Sequence, residues 1–244
     1  MTRYGLIGFP LGHSFSRKYF SDKFIREGIV DCAYDLFPIE SIDRITDILK
    51  DNPDLKGLNV TIPYKKEVLQ YLTDTSHLPP GLNACNCISI DDGKLTGYNT
   101  DIAGFELSIR PLLQEHHRHA LILGNGGATS AVKHALSNLQ IKYAVVGRNS
   151  ASGSDLTYDD LNRDILEKYT VIINTTPLGT EPHTELFPLI PYEYIGHEHL
   201  LYDLVYNPPL TTFMKKGTAK GATVKNGYDM LVIQAEESWK IWRG

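Results

Sequence analysis

Cysteine is scarce in this sequence, long apolar runs are absent, and positive charge is not in excess. The 244 residues include three cysteines, an odd number without the spacing of a disulfide framework or a metal site. No apolar run approaches the ~20 residues that cross a bilayer. A formal net charge of −5 offers no electrostatic reason to expect nucleic acid or an anionic membrane as a partner. Together these absences favour a protein of a reducing compartment.

The N-terminal segment enters a strand-like run at once, at Tyr4, and shows no signal-peptide pattern. We therefore expect a cytoplasmic protein. A hydrophobic fraction of 42% and a charged fraction of 22% are ordinary for a globular chain, and the length allows one large or two modest domains.

Short apolar runs alternate with helix-length segments, which is typical of an α/β fold. The predicted strands cover residues 4–9, 33–37, 55–60, 86–90, 94–98, 120–124, 143–147, 171–174, 200–205 and 222–225. The predicted helices cover residues 16–28, 42–50, 64–71, 101–113, 158–168 and 228–242. Residues 149–155 are predicted to form a loop because serine and glycine dominate them.

A glycine-rich turn follows the strand at 120–124 and opens a helix. Its residues are Gly124, Asn125, Gly126, Gly127 and Ala128. Glycine lets the backbone approach a pyrophosphate, whose charge the free N–H groups of the helix N-terminus stabilise. The sixth position is threonine rather than glycine or alanine, so an ordinary strand–helix turn is the alternative.

The next strand ends at Gly147, and Arg148 and Asn149 follow it. A dinucleotide fold selects its cofactor at this distance from the glycine turn, and an NAD enzyme places a carboxylate there to bind the ribose hydroxyls. The guanidinium of Arg148 suits a 2′-phosphate instead. This pattern favours NADP, with a solvated loop charge as the alternative.

Polar residues cluster at turns in the first hundred residues. Ser14 and Ser16 lie between a strand and a helix, where serine hydroxyls either cap the helix or bind a carboxylate. Asn59, Thr61 and Lys65 lie where a strand ends and a helix begins, so that they could share one crevice; for Lys65 the alternative is solvation.

Two more polar residues follow. Asn86 either joins this cluster or is satisfied by backbone at a strand edge, and Asp101 either joins it or caps the next helix. The three histidines of Glu115–His119 lack a partner cluster of ligand spacing, so we predict no metal site. Spacing alone therefore indicates polar turns followed by a nucleotide-type unit, and no particular reaction.

Taken in chain order, these segments resemble the shikimate dehydrogenase family from Tyr4 to Gln234. The motifs that carry the resemblance are His13-Ser-Phe-Ser16, Asn59-Val-Thr-Ile-Pro-Tyr-Lys65, Ala84-Cys-Asn-Cys87, Gly97-Tyr-Asn-Thr-Asp101, Gly124-Asn-Gly-Gly-Ala128, Gly147-Arg-Asn149, Asn174-Thr-Thr-Pro-Leu-Gly179, Tyr202-Asp-Leu-Val-Tyr-Asn-Pro208 and Asn226-Gly-Tyr-Asp-Met-Leu-Val-Ile-Gln234. Nine such segments in the right order are far more specific than any one of them.

The resemblance implies a two-domain α/β protein. A mixed-sheet α/β substrate domain would cover residues 1–103 and be completed by the C-terminal helix at 226–244. A Rossmann-like NADP-binding domain would cover residues 104–225. The implied partner is a small molecule, shikimate or 3-dehydroshikimate, rather than nucleic acid or membrane, and the chain would be a monomer or homodimer.

The resemblance also implies the roles of individual residues. Lys65 and Asp101 would be the catalytic pair. The implied substrate-binding residues are Ser14, Ser16, Asn59, Thr61, Asn86, Tyr206 and Gln234. The implied cofactor-binding residues are Gly124, Asn125, Gly126, Gly127, Ala128, Arg148, Asn149, Thr175, Leu204 and Gly227.

The implied activity is the reversible reduction of 3-dehydroshikimate to shikimate with NADPH, in the shikimate pathway of aromatic amino-acid biosynthesis. Two alternatives stay open: a quinate/shikimate dehydrogenase of broader cofactor use, and a non-catalytic protein that binds shikimate-type ligands. The sequence departs from the family pattern at Arg17, Asn125, Cys87, Gly147 and Asn149. The chain after Arg148 is also short, which predicts a more open adenosine side and weaker discrimination against NAD.

Overall fold

The computed structural model describes residues 1–12, 14–149 and 153–244. His13 of the serine turn and residues 150–152 of the predicted loop at 149–155 lie outside the described residues. The chain divides into two compact units, one formed by Met1–Ala103 with Val232–Gly244 and the other by Gly104–Leu231.

The first unit is built on a five-stranded mixed sheet. Its strands are β1 (Thr2–Gly8), β2 (Cys32–Pro38), β3 (Leu55–Val60), β4 (Cys87–Asp91) and β5 (Lys94–Tyr98). Their order is β2-β1-β3-β4-β5, with β1 parallel to β2 and β3, and β4 antiparallel to its neighbours β3 and β5. The helices are α1 (Phe15–Arg26), α2 (Ile45–Asp51), the start of α3 (Thr100–Ile109) and most of α7 (Tyr228–Arg243).

Aromatic packing attaches α7 to this sheet. The Trp242 ring stacks on Tyr4 with centroids 4.9 Å apart, and its indole N–H donates to the carbonyl of Ile88 at 2.9 Å. Gly57 makes room for the indole, because a Cβ there would lie 2.2 Å from Trp242 Nε1. This docking places Gln234 and Ser238 against the sheet.

The second unit is built on a six-stranded parallel sheet. Its strands are β6 (His119–Leu123), β7 (Lys142–Gly147), β8 (Leu156–Thr157), β9 (Val171–Asn174), β10 (Leu200–Asp203) and β11 (Thr223–Lys225). Its helices include α4 (Thr129–Asn138), α5 (Arg163–Lys168) and α6 (Thr212–Thr218). The unbroken apolar run of β6 is fully buried from Ala120 to Leu123, as expected for a parallel strand covered on both faces.

The strand order β11-β10-β9-β6-β7-β8 has a switch point between β6 and β9. When the six strands are numbered 1 to 6 in chain order and read from β8 to β11, the order is 3-2-1-4-5-6. This is the doubly wound order of dinucleotide-binding folds. Ligands of such sheets bind outside the carboxyl ends of the strands at the switch point. The predicted fold, a mixed-sheet α/β domain with a Rossmann-like domain, is confirmed.

The predicted helix at 64–71 is wrong in type and extent, because the structure has a 3-10 helix over Glu67–Tyr71. The backbone N–H of Cys85 donates a hydrogen bond to the backbone carbonyl of Lys65 at 2.7 Å. An α-helix would need that carbonyl for Leu69, whose amide donates to Lys66 instead. The hydrogen bond from Cys85, which lies outside residues 64–71, therefore favours the tighter 3-10 helix over an α-helix.

The predicted helix at 158–168 is also interrupted. A 3-10 helix covers Tyr158–Asp160, and α5 begins only at Arg163. Asn162 caps α5 by accepting from the amide of Ile165 at 3.1 Å. Short polar side chains favour such caps over helix interiors, which explains the break.

The chain returns to the first unit at Val232, inside α7. The first turn of α7 is bonded within the second unit, since the amide of Gly227 donates to Val205 at 3.2 Å and that of Leu231 to Gly227 at 3.2 Å. None of the helices in the described part of the chain is both long and apolar enough to cross a membrane.

Candidate active site

Lys65 and Asp101 form an ion pair in the first unit. Lys65 follows β3, and Asp101 is the second residue of α3. Their Nζ and Oδ2 atoms are 2.6 Å apart, with 22% and 12% of the side chains exposed. The bond from Cys85 to the carbonyl of Lys65 holds the lysine backbone in place. The pair is thus both ordered and reachable from solvent, so the ammonium can donate a proton to a ligand.

Asn86 orients Asp101. Its side-chain amide donates to Asp101 Oδ1 at 2.9 Å and to the Thr100 hydroxyl at 3.0 Å. Its carbonyl oxygen accepts from the backbone N–H of Thr100 at 2.7 Å, which caps α3. One carboxylate oxygen of Asp101 therefore faces Asn86 and the other faces Lys65.

Asn59 is almost fully buried beside this cluster. Its side-chain NH2 group donates to the Ser238 hydroxyl at 2.9 Å and to the backbone carbonyl of Asn86 at 3.3 Å. Its side-chain oxygen accepts from the Tyr34 hydroxyl at 2.8 Å. Burial raises the pKa of Tyr34 well above its usual range, and a hydrogen bond from Ser16 partly opposes this. Both amide hydrogens of Asn59 are used inside the protein, so only its oxygen can meet a ligand.

Three other residues of the predicted substrate site lie at the start of α1, just after β3 and within α7. Ser14 caps α1 by accepting from the amide of Arg17 at 3.3 Å. Thr61 follows β3 and is half-buried, with its amide bonded to Ile7 at 3.0 Å. Gln234 is 8% exposed on α7. The cap leaves the hydroxyl hydrogen of Ser14 able to donate to an anion.

The glycine turn of the second unit lies at the switch point of the sheet. Gly124 has a φ of +104°, and a Cβ there would approach Thr176 Cγ2 to 2.8 Å. Both Gly126 and Gly127 face open space, since a Cβ on either would meet nothing within 4 Å. No side chain in the described part of the chain caps the start of α4 at Ala128. A phosphate group therefore fits against this turn.

Thr175 and Thr129 brace the turn from β9 and α4. The Thr175 hydroxyl donates to Leu123 at 2.9 Å and lies 3.0 Å from the Thr129 hydroxyl. Thr129 in turn donates to the carbonyl of Gly124 at 3.2 Å. The sixth residue of the turn, which departs from glycine or alanine, is thus a structural part of the loop.

Arg148 and Asn149 are exposed after β7. Tyr158 is near enough for the Arg148 charge to lower its pKa against the larger raising effect of burial. Arg148 takes part in no ion pair with another described residue. Its guanidinium can therefore meet an incoming phosphate without breaking such a pair.

Asp203 ends β10 as a fully buried carboxylate. It accepts from the Thr211 hydroxyl at 2.6 Å, the Asn174 amide at 2.9 Å and the backbone N–H of Val205 at 3.0 Å. Asn174 in turn accepts from the backbone N–H of Thr176 at 3.0 Å. Burial raises the pKa of Asp203 to about 6. This network fixes the loops that carry Thr175 and Leu204.

Gly227 permits a close approach of two segments beside these loops. A Cβ at Gly227 would lie 2.2 Å from the carbonyl oxygen of Leu204, so a side chain there requires the backbone to move. Leu204 itself is half-buried, and Tyr206, two residues further, is 36% exposed. Leu204 and Gly227 therefore lie side by side at this end of the second unit.

Sequence reasoning missed the residues that support these groups. They are Tyr34, Thr100, Ser238, Asn174, Asp203 and Thr211. Asn174 and Asp203 stand inside motifs that the sequence analysis quotes, and their place at the ends of apolar strands is a signal for them. Ser238 lies 179 residues from Asn59, and no local pattern predicts that contact.

The histidine-rich segment near His116 and His117 meets Glu198 in the second unit. His116 Nε2 lies 3.4 Å from a Glu198 carboxylate oxygen, and His117 Nε2 lies 3.2 Å from the Glu198 carbonyl. Within the described ranges, no group of three or more His, Cys, Asp or Glu side chains could hold a metal ion.

Comparison with known proteins places the chain in a family. Residues 6–88 match the model of the shikimate dehydrogenase substrate binding domain. A shikimate dehydrogenase (NADP(+)) of Methanococcus maripaludis is 34% identical over 260 residues, which cover 98% of this chain and 91% of the relative.

Two crystal structures extend the likeness to the whole fold. A chorismate mutase/shikimate 5-dehydrogenase fusion protein from Clostridium acetobutylicum has a TM-score of 0.86 at 33% identity, covering 99% of this chain and 91% of that one. Shikimate 5-dehydrogenase from Thermus thermophilus, in complex with NADP(H) and shikimate, has a TM-score of 0.85 at 27% identity, covering 99% and 93%. The chain belongs to the shikimate dehydrogenase family of NADP-dependent oxidoreductases.

Proposed function

We propose that this protein catalyses the reversible reduction of 3-dehydroshikimate to shikimate with NADPH, in the pathway to the aromatic amino acids. The observation that carries the proposal is the ordered, partly exposed Lys65–Asp101 pair in a chain of this family. A protein that only binds such ligands has no need of a proton donor held in this way.

Lys65 acts as the proton donor. When bound, NADPH supplies a hydride to the carbonyl carbon of the substrate. Negative charge then grows on the carbonyl oxygen, and the nearby ammonium of Lys65 stabilises this charge and transfers its proton to the oxygen. Asp101 orients the ammonium and accepts from a neighbouring ring hydroxyl. In the reverse direction the neutral amine takes the proton back.

The substrate carboxylate is held at the start of α1 by Ser14 and Ser16, with the other ring groups bound nearby. We assign the ring contacts to Asn59, Thr61, Asn86, Tyr206 and Gln234. The amide hydrogens of Asn59 and Asn86 are engaged within the protein, so these two residues act as acceptors for ring hydroxyl hydrogens.

The second unit holds the cofactor. The turn formed by Gly124, Asn125, Gly126, Gly127 and Ala128 would hold its pyrophosphate, because open space and backbone N–H groups there favour an anion. Arg148 and Asn149 would bind the 2′-phosphate. Thr175, Leu204 and Gly227 line the remainder of the cofactor site.

Replacing Arg148 by alanine raises the KM for NADPH by about 10- to 100-fold, because a charge-assisted hydrogen bond to phosphate is lost. The kcat/KM with NADH, which lacks the 2′-phosphate, stays within about twofold. Steady-state kinetics with both cofactors measure the effect.

Lys142→Ala is the matched control for Arg148→Ala. Lys142 is an exposed cation at the opposite end of β7, and its loss leaves both KM values unchanged. If Arg148→Ala weakens NADPH and NADH equally, Arg148 does not read the 2′-phosphate.

The remaining features of the proposal concern setting and partners. We place the protein in the cytoplasm, acting on a small molecule without nucleic acid or membrane partners, as a monomer or a homodimer. The net charge of −5 supports the absence of a polyanionic partner. Light scattering of the purified protein would decide its oligomeric state.

The proposed function is tested by following reduced-nicotinamide absorbance with shikimate, in parallel with NADP and NAD, and then with quinate. Turnover of shikimate with NADP, together with little turnover with NAD or with quinate, supports the proposal. Comparable turnover with NAD or quinate would indicate a broader quinate/shikimate dehydrogenase. Binding of shikimate without any turnover would contradict an enzymatic role.

A further inference from the structure

Ser238 lies on α7 and is fully buried against β3 and the start of α3. It lies 2.9 Å from the side-chain amide of Asn59, 3.2 Å from the hydroxyl of Thr100 and 2.9 Å from the carbonyl of Gln234. One hydroxyl therefore joins residues from three separate segments of the chain.

The amide orientation of Asn59 is fixed by its surroundings. The nitrogen faces the backbone carbonyl of Asn86 at 3.3 Å, which only accepts. The opposite orientation of the amide would place the side-chain oxygen of Asn59 against the backbone carbonyl oxygen of Asn86, and both atoms only accept hydrogen bonds. The Asn59 nitrogen must consequently donate to Ser238, and Ser238 accepts this bond.

The remaining hydrogens then follow. Ser238 has one hydroxyl hydrogen, which it donates to the carbonyl of Gln234, one turn earlier on α7. Thr100 accepts from the Asn86 amide at 3.0 Å, so its own hydrogen is left to donate. Two acceptors are within reach, the Ser238 hydroxyl at 3.2 Å and the Asn86 side-chain oxygen at 3.3 Å, and we assign the hydrogen to Ser238, the nearer of the two. Every hydrogen in the cluster then has an acceptor.

This arrangement couples α7 to the catalytic carboxylate. The Ser238 hydroxyl is hydrogen-bonded to the Thr100 hydroxyl, which accepts from one hydrogen of the Asn86 side-chain amide. The other hydrogen of that amide is donated to Asp101 Oδ1 at 2.9 Å. Rotation of Asn86 would move Asp101, and with it the ammonium of Lys65, bonded at 2.6 Å. A catalytic group displaced in this way loses rate more than it loses substrate affinity.

We propose that Ser238 is a positioning residue for ketone reduction, acting on Asp101 and Lys65 through Thr100 and Asn86. This inference rests on the proposed function for its effect on turnover. The hydrogen-bonded link itself can be tested without turnover, because the side-chain amide signals of Asn86 report on it directly.

The test compares Ser238→Ala, Ser238→Thr and wild type. Removal of the hydroxyl leaves the Asn59 amide and the Thr100 hydroxyl without their buried partner. We expect kcat for shikimate to fall about tenfold while its KM stays within about twofold. Ser238→Thr keeps a hydroxyl that can bond the same carbonyl, and we expect it to restore most of kcat.

Ser108→Ala is the matched control, since Ser108 is another buried helix serine, bonded to the carbonyl of Phe105 and the hydroxyl of Tyr202 in the second unit. It should lose similar stability and keep kcat. NMR of the Asn86 side-chain amide should show a changed chemical shift in Ser238→Ala and none in Ser108→Ala.

Unchanged kcat in folded Ser238→Ala overturns the inference, and so does an equal loss of kcat in Ser108→Ala. If wild type turns over no shikimate, the proposed function fails and the NMR comparison decides the link alone. A shifted Asn86 amide signal in Ser238→Ala then supports the link, and an unshifted signal overturns it.

Discussion

Replacing Lys65 by methionine lowers kcat for shikimate oxidation about 1000-fold, within the range that a positioned proton-transfer group contributes. Methionine keeps an apolar stem of similar length and removes the ammonium. In this direction the substrate hydroxyl loses the amine that takes its proton, and the charge that develops on its oxygen loses the ammonium that stabilises it. Steady-state rates, with the Kd for shikimate measured by calorimetry, separate loss of chemistry from loss of binding.

Lys66→Met is the control for this substitution, because Lys66 is the exposed neighbour of the half-buried Lys65. It should keep kcat within about twofold. Near-normal turnover in Lys65→Met would remove the lysine from the chemistry and leave the ion pair with Asp101 as a structural feature.

The second large effect concerns stability and Asp203. The stability of Asp203→Asn relative to wild type should increase as pH rises from about 4 to about 6 and should level off above that. Burial raises the pKa of this carboxyl from 3.8 to about 6, so the native state disfavours its ionised form. Asparagine keeps the shape and an acceptor oxygen for Val205 and Asn174, and it carries no charge.

The sign of the effect follows from proton binding. Between pH 3.8 and about 6, native Asp203 keeps a proton that the unfolded chain has released. The stability contributed by this carboxyl is full below the unfolded pKa, falls across that window, and is constant above it. A pKa change of this size corresponds to about 3 kcal/mol, which sets the expected growth of the stability difference.

Urea unfolding of both proteins at several pH values measures this difference. Asp160→Asn is a control of opposite sign, since hydrogen bonds from the backbone N–H and hydroxyl of Thr157 lower the pKa of Asp160. The loss of stability caused by Asp160→Asn should therefore increase as pH rises through the acid range. A difference in the free energy of unfolding between wild type and Asp203→Asn that does not change with pH would contradict this account. It would mean that the native state does not disfavour the ionised form of Asp203.

The parts of the fold that could be predicted are those with local signals. The apolar strands β3 and β9 have the bounds that the sequence predicts, because polar residues interrupt the run at both ends. The glycine turn could be placed at a strand–helix junction because Gly124 adopts a backbone conformation that suits glycine.

The parts that could not be predicted depend on distant contacts. The 3-10 helix at Glu67–Tyr71 arises because the amide of Cys85 takes a carbonyl that a helix would need. β8 has only two residues, too few for any periodicity.

The same limit applies to the site. Its catalytic and binding residues stand in motifs with local spacing, and the family resemblance assigned them roles. Some of the residues that support them, such as Tyr34 and Ser238, stand outside every such motif. Tyr34 and Ser238 contact Asn59 from segments 25 and 179 residues away, and only folding brings their hydroxyls to its amide group.

Hydride transfer to the ring ketone is the central claim, and isotope transfer tests it most directly. The protein would be incubated with 3-dehydroshikimate and NADPH carrying deuterium at the reactive nicotinamide carbon, and the product analysed by mass spectrometry and NMR. We predict shikimate with one deuterium on the carbon that bears the new hydroxyl. Unlabelled shikimate, or no product in a solution where both ligands bind, would contradict the account.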